Sequence, residues 1–184
     1  LKAIKNGVFV VIAAVMLAAF SIKSLAQSSV AIEQYRLGSG DVVKIVVFGQ
    51  EDLLVETKLS NNGVINYPFL GDINLVGLTV DEVEGLIDTG LRGDYLVNPS
   101  VSVTVIEYRP FFIDGAVNKP GGYPYQPGLS VSKAAALAGG YTERANPAKV
   151  VIVRNISNED VEIQATEIDI IFPGDIVTVK ERFF

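Results

Sequence analysis

Residues Phe111 to Tyr123 read FFIDGAVNKPGGY, and the stretch Ser130 to Ala138 reads SVSKAAALA. The first begins as an apolar strand to Val117, turns through Asn118, Lys119, Pro120, Gly121 and Gly122, and resumes as a short strand near Tyr123. In the second, Ser130 suits a helix N-cap, Ala134 to Ala136 favour helix, and Gly139 can take the left-handed C-terminal position. Val150 to Val153 follows as an unbroken β-branched run, expected to be a central strand buried on both faces. Glu162 to Thr166 reads as a short strand, and Pro173, Gly174 and Asp175 turn the chain into a last strand, Ile176 to Lys180. Strands, a helix, then further strands is the order of a β-grasp unit, in which a curled sheet covers one helix.

Upstream, the same alternation occurs once more. Leu37, Gly38, Ser39, Gly40 and Asp41 form a turn into the strand Val42 to Phe48, with Asp41 placed to bond a nearby backbone N–H. Asn61, Asn62 and Gly63 predict a hairpin between about Val55 and Tyr67, and Leu70, Gly71 and Asp72 a turn ahead of the strand Ile73 to Val76. Thr79 and Glu82 complete a capping box for a helix carrying Val80, Val83, Leu86, Ile87 and Leu91, which Gly90 and Gly93 help to end. Val101 to Arg109 alternates as a half-buried strand, and Pro110 breaks the ladder. The expected class is α+β: two small strand-rich subdomains, residues 27–110 and 111–184, each with one helix and the second β-grasp-like. The triplet Gly, Asp, aliphatic at Gly40, Gly71 and Gly174 has no fixed period, so shared turn chemistry explains it.

Residues 1–26 have the pattern of a cleaved signal peptide. Lys2 and Lys5 precede an apolar run from Gly7 to Phe20, Lys23 closes it short of a membrane span, and Ser24, Leu25 and Ala26 supply a small-residue site. A polar leader, residues 27–34, follows. The 184 residues carry 21 acids and 15 bases, a net charge of −6, and three of the lysines fall in the signal segment. No basic run remains to hold a phosphate backbone, so nucleic acid is not an expected partner. With no cysteine there is neither a disulfide nor a lipidation site after the signal.

The absence of histidine and cysteine removes the usual general base, zinc site, serine triad and thiolate nucleophile. A glycosidase needs only two carboxylates. However, Asp41, Asp72 and Asp175 directly follow glycines, where a turn role accounts for them, and the helix acids belong to a solvated face. No catalytic residue, metal ligand or cofactor is expected. Gly38, Ser39 and Gly40 lack the Lys and Ser/Thr of a phosphate loop and lead into a strand. Ala138, Gly139 and Gly140 stop a helix and also permit close approach of another backbone. The candidate contacts for sugars or a neighbouring subunit are Tyr95, Tyr108, Tyr123, Tyr125 and Tyr141, which with Phe111 and Phe112 are expected around the second subdomain.

Taken in order, Tyr35 to Val43, Gly63 to Ile65, Pro68 to Gly71 and Gly77 to Glu82 resemble the bacterial polysaccharide export domain. Gly115 to Gly121, Ala138 to Gly140 and Pro173 to Val177 resemble the soluble-ligand-binding β-grasp domain that follows it in that family. The shared motif residues include Gly38, Gly40, Asp41, Gly71, Gly115, Pro120, Gly121, Gly139, Gly140, Gly174 and Asp175. The resemblance implies non-catalytic export of capsular or extracellular polysaccharide by a ring-forming homo-oligomer working with an inner-membrane polysaccharide co-polymerase. Long members carry a lipid-modified cysteine and a C-terminal pore helix. This sequence ends at Lys180 to Phe184 without either, so the expectation is a short periplasmic variant that uses a separate outer-membrane channel protein. The competing expectation is a periplasmic glycan- or small-ligand-binding sensor.

Overall fold

A computed structural model describes residues 35–156 and 159–182. The signal segment, the polar leader and the terminal Phe183 and Phe184 lie outside the described residues. From Tyr35 onward the chain forms one unit with two hydrophobic cores.

The first core is enclosed by two small sheets and a helix. Strand β1 (Val42–Val47) lies between β2 (Gln50–Lys58) and β5 (Val101–Glu107), antiparallel to both. Strands β3 (Val64–Tyr67) and β4 (Gly71–Asn74) form a separate ribbon. The alternation of β1 puts Val43, Ile45 and Val47 inside, where they meet Val83, Ile87 and Leu91 of helix α1 (Val80–Leu91). The capping box forms as the sequence predicts: the Glu82 N–H donates to Thr79 Oγ1 at 3.2 Å, and the Thr79 N–H donates to Glu82 Oε2 at 2.8 Å.

Several local expectations change. The hairpin predicted around Asn61 to Gly63 does not form, because β2 pairs with β1 through the two-residue loop Phe48–Gly49, and β3 pairs with β4. Asn61 to Gly63 instead carries the chain from one sheet to the next. Gly63 is needed there, since a Cβ would lie 2.4 Å from the Val76 side chain. A turn signal specifies a reversal and not the strands it joins. Phe48 leaves the strand for the loop, and β4 stops before Val76. Gly90 lies inside α1 and makes room for Leu70, so the helix ends at Leu91 with only Gly93, at φ +91°, in the left-handed region behind it. Leu86 stays exposed on the outer side of the helix.

The second core is β-grasp-like, and the whole is α+β as expected. Strands β6 (Phe111–Gly115), β7 (Gly121–Tyr123), β8 (Ala145–Ile156), β9 (Glu159–Ala165) and β10 (Ile176–Glu181) form one sheet in the order β7-β6-β10-β8-β9. The β6–β10 pair is parallel and the remaining pairs are antiparallel. Helix α2 (Val131–Leu137), capped by Ser130, packs Val131, Ala134 and Ala135 into the same core as Phe111, Ile113, Val150, Ile152, Val177 and Val179. The run Val150 to Val153 is therefore not buried on both faces. Val150 and Ile152 point into the core, whereas Val151 and Val153 lie half-buried on the outer face, because α2 covers only one side.

Candidate functional site

The strongest constellation lies where the two cores meet, and it is built from two copies of one turn. In Gly38 to Asp41 the Gly38 N–H donates to Asp41 Oδ2 at 2.7 Å and the Asp41 N–H to the Gly38 carbonyl at 3.2 Å. In Phe172 to Asp175 the Phe172 N–H donates to Asp175 Oδ2 at 2.7 Å and the Asp175 N–H to the Phe172 carbonyl at 3.1 Å. Gly40 and Gly174 precede the two aspartates at φ +96° and +85°, a region that glycine occupies without strain. Both carboxylates are fully buried, so each requires a cation and a full set of donors.

Asp175 obtains them from Arg154, which binds it with two N–H groups at 2.9 and 2.7 Å and lies over the Phe172 ring at 4.2 Å. Asp41 obtains them from Arg109 and Tyr35. The Arg109 backbone N–H donates to Asp41 Oδ1 at 2.8 Å, its guanidinium reaches Oδ2 at 3.2 Å, and the Tyr35 hydroxyl donates to Oδ2 at 2.5 Å. Arg109 also donates to the Tyr35 hydroxyl at 2.8 Å. Burial first, and then the Asp41 charge, push the Tyr35 phenol far above its ordinary range, so it stays a neutral donor.

The segment that joins the two cores is thereby gripped from both sides. Asp41 holds the Arg109 N–H, and the Gly174 N–H donates to the carbonyl of the next residue, Pro110, at 3.2 Å. The Arg109 side chain lies against both turns. A Cβ on Gly38 would sit 2.0 Å from its Nη1, and a Cβ on Gly174 would sit 2.7 Å from its Nε. An edge-to-face chain of rings runs alongside, from Tyr35 to Tyr108 (5.1 Å) and from Tyr108 to Tyr125 (5.4 Å). Burial raises the Tyr108 and Tyr125 phenols as well.

The other tyrosines lie elsewhere. Tyr123 stacks on Phe111 at 6.0 Å and donates to the Lys119 carbonyl at 2.7 Å. Tyr141 packs on the second core with its hydroxyl buried and without a protein partner. Tyr95 departs from the expected cluster, because its N–H follows α1 and bonds the Leu91 carbonyl, which keeps it on the first core, where it stacks on Phe69 at 4.7 Å. Among the glycines, Gly139 and Gly140 receive the 118–121 turn: the Asn118 N–H donates to the Gly140 carbonyl and the Lys119 N–H to that of Ala138. Pro120 is exposed within that turn and Gly121 opens β7. Gly71 opens β4 at φ +71°, while Gly115 closes β6 against the Val179 carbonyl.

Sequence reasoning missed Arg109, Arg154 and Tyr35. Arg109 directly precedes Pro110 and Arg154 directly follows an apolar run, but the acids they bind lie 68 and 21 positions away, so no local signal marks the pairing. Among the described residues, no group of three or more acidic, histidine or cysteine side chains is placed to hold a metal. Nor is any described helix long and apolar enough to cross a membrane.

Two hydrophobic cores, the second β-grasp-like, are thus joined through a connection bonded by two Gly-Asp turns. Residues 29–106 match the family described as polysaccharide biosynthesis/export protein, and residues 110–164 match the SLBB domain. Together these cover most of the chain in that order, and the protein belongs to the polysaccharide export family. Strand β10, which completes the second sheet between β6 and β8, lies beyond the matched residues. Over 87 residues the chain is 38% identical to the exopolysaccharide production protein ExoF of Rhizobium meliloti (strain 1021), an alignment covering 46% of this chain and 21% of that protein. Over 112 residues it is 30% identical to the EPS I polysaccharide export outer membrane protein EpsA of Ralstonia nicotianae, covering 47% of this chain and 29% of that protein. The matched part is thus less than a third of either relative.

Proposed function

We propose that this chain is a non-catalytic subunit of an exopolysaccharide export system. It is exported with residues 1–26 as its signal and acts in the periplasm or at the outer membrane, as part of a ring or adaptor that passes polymer without covalent change. The observation that carries this reading is the doubly gripped Arg109–Pro110 connection. A closed ring needs every subunit to hold its domains at one angle, since angular errors accumulate around the circle. The buried Asp41 carboxylate on the Arg109 N–H and the Gly174 N–H on the Pro110 carbonyl supply that stiffness. The same use argues against catalysis, because Asp41 and Asp175 are each committed to a turn N–H and an arginine. In this reading the domains divide at Pro110, and the partners are an inner-membrane co-polymerase and a separate outer-membrane channel.

The test is deletion of the gene in its host, followed by complementation with the full chain. The expected result is loss of surface polysaccharide with polymer retained inside the envelope. Normal secretion after deletion would overturn the export role. Native mass spectrometry of the full chain with and without the co-polymerase should show a closed oligomer, and a monomer in both samples would remove the ring.

A further inference from the structure

The hairpin joining β3 and β4 has a feature that the fold does not require. Its tip is Pro68, Phe69 and Leu70, and Phe69 sits at φ +66°, the only non-glycine residue in the left-handed region among the described residues. A bulky side chain there is strained, and glycine or asparagine would serve the turn better. Burial does not compensate, because the Phe69 ring is 61% exposed. It is nevertheless held in place. Leu70 locks the hairpin onto α1 above Gly90, and the Phe69 ring stacks on Tyr95, itself 48% exposed, with centroids 4.7 Å apart and planes 28° apart. Two chain segments thus converge to display aromatic surface that the core does not use.

We propose that Phe69 and Tyr95 form a stacking platform for neutral sugar rings of the transported polysaccharide, an inference that rests on the export reading above. A pyranose ring presents a C–H face of about the area of one aromatic ring, so a tilted aromatic pair suits one or two sugar units. Two rings are far below the ~800 Å² per partner that a stable protein interface buries. The charged residues that precede Tyr95 in the chain favour a neutral sugar over an anionic one. Asp94, adjacent to Tyr95, is exposed and offers acceptors to sugar hydroxyls, while the nearby Arg92 is occupied by Asp88 at 2.8 Å and Asn98 at 3.1 Å. The two rings therefore offer apolar faces, and of the two charged residues just before Tyr95 the acid is exposed while the cation is already paired.

The experiment is an aromatic-ring NMR titration of the full chain with cellohexaose, laminarihexaose and mannohexaose, and with an oligogalacturonate of the same length. The Phe69 and Tyr95 ring signals should shift saturably with at least one neutral hexasaccharide. Phe69→Ala, Phe69→Gly and Tyr95→Ala should each weaken that binding about tenfold. Phe69→Gly keeps the test independent of folding, since it relieves the strained φ and should raise the melting temperature while losing the sugar. No saturable shift with any neutral sugar, unchanged affinity in the variants, or preference for the oligogalacturonate would overturn the proposal. So would ring signals that move on dilution of the protein alone, which would assign the platform to a second copy of the chain. If the deletion strain fails to secrete polymer while no sugar binds here, the export reading stands and this one falls. Normal secretion in the deletion strain would fell the export reading whatever the titration shows.

Discussion

Tyr35 keeps its proton because burial first, and then the Asp41 charge, oppose a phenolate more strongly than the Arg109 cation favours it. Its hydroxyl donates to the Asp41 carboxylate and accepts from Arg109, so a phenolate would face a buried negative charge at hydrogen-bond distance. The folded state therefore holds a proton that the unfolded chain releases near pH ~10. A raised folded value gives stability that is complete below the unfolded value and is lost as pH rises above it. The urea midpoint should stay level from about pH 8 to pH 10 and fall beyond, as tyrosine absorbance reports ionisation. Tyr35→Phe should start lower, because Asp41 loses a donor, but decline less steeply. An equally steep decline in the variant would exclude Tyr35 as its source. None of this was legible in the sequence, where Tyr35 is one tyrosine beside a polar leader. Asp41 was legible, because an aspartate after glycine at a strand start has a local partner three residues back.

The elements were readable wherever their causes are local. Thr79 and Glu82 announced α1, and Ser130 announced α2, because cap and first turn lie within four residues of sequence. The pairing of the strands was less readable, since Asn61 to Gly63 carries the signal of a hairpin and sits between two sheets. Gly115 shows the same limit. It ends β6 at φ +79°, and a Cβ there would lie 2.2 Å from the carbonyl oxygen of Val179 in β10, a strand more than 60 residues on. Gly115→Ala should therefore cost about 3 kcal/mol by urea denaturation, through backbone strain and a displaced parallel strand. Gly128→Ala has a similar φ of +78° but open space around it, and should cost about 1 kcal/mol. Equal losses in the two variants would mean that β10 yields freely.

At the scale of the molecule, two cores that share the grip on Arg109 and Pro110 should unfold together. Urea denaturation of the full chain should give one transition by both far-UV circular dichroism and tyrosine fluorescence. Arg109→Ala removes the guanidinium from Asp41, Tyr35 and both glycine turns, which should lower the midpoint and separate the two signals. Coincident signals in the variant would assign the coupling to the Arg109 and Pro110 backbone bonds alone. By itself the sequence determined the α+β class, the two capped helices, the Gly-Asp turns and the resemblance to polysaccharide export proteins, because each is written in residues a few positions apart. The tertiary structure alone decided that Gly38 and Gly174 clear one arginine, that Arg109 and Arg154 neutralise Asp41 and Asp175, and that Phe69 meets Tyr95. Those relations join residues far apart in the chain, and burial makes a carboxylate or a ring take whichever partner the fold brings to it.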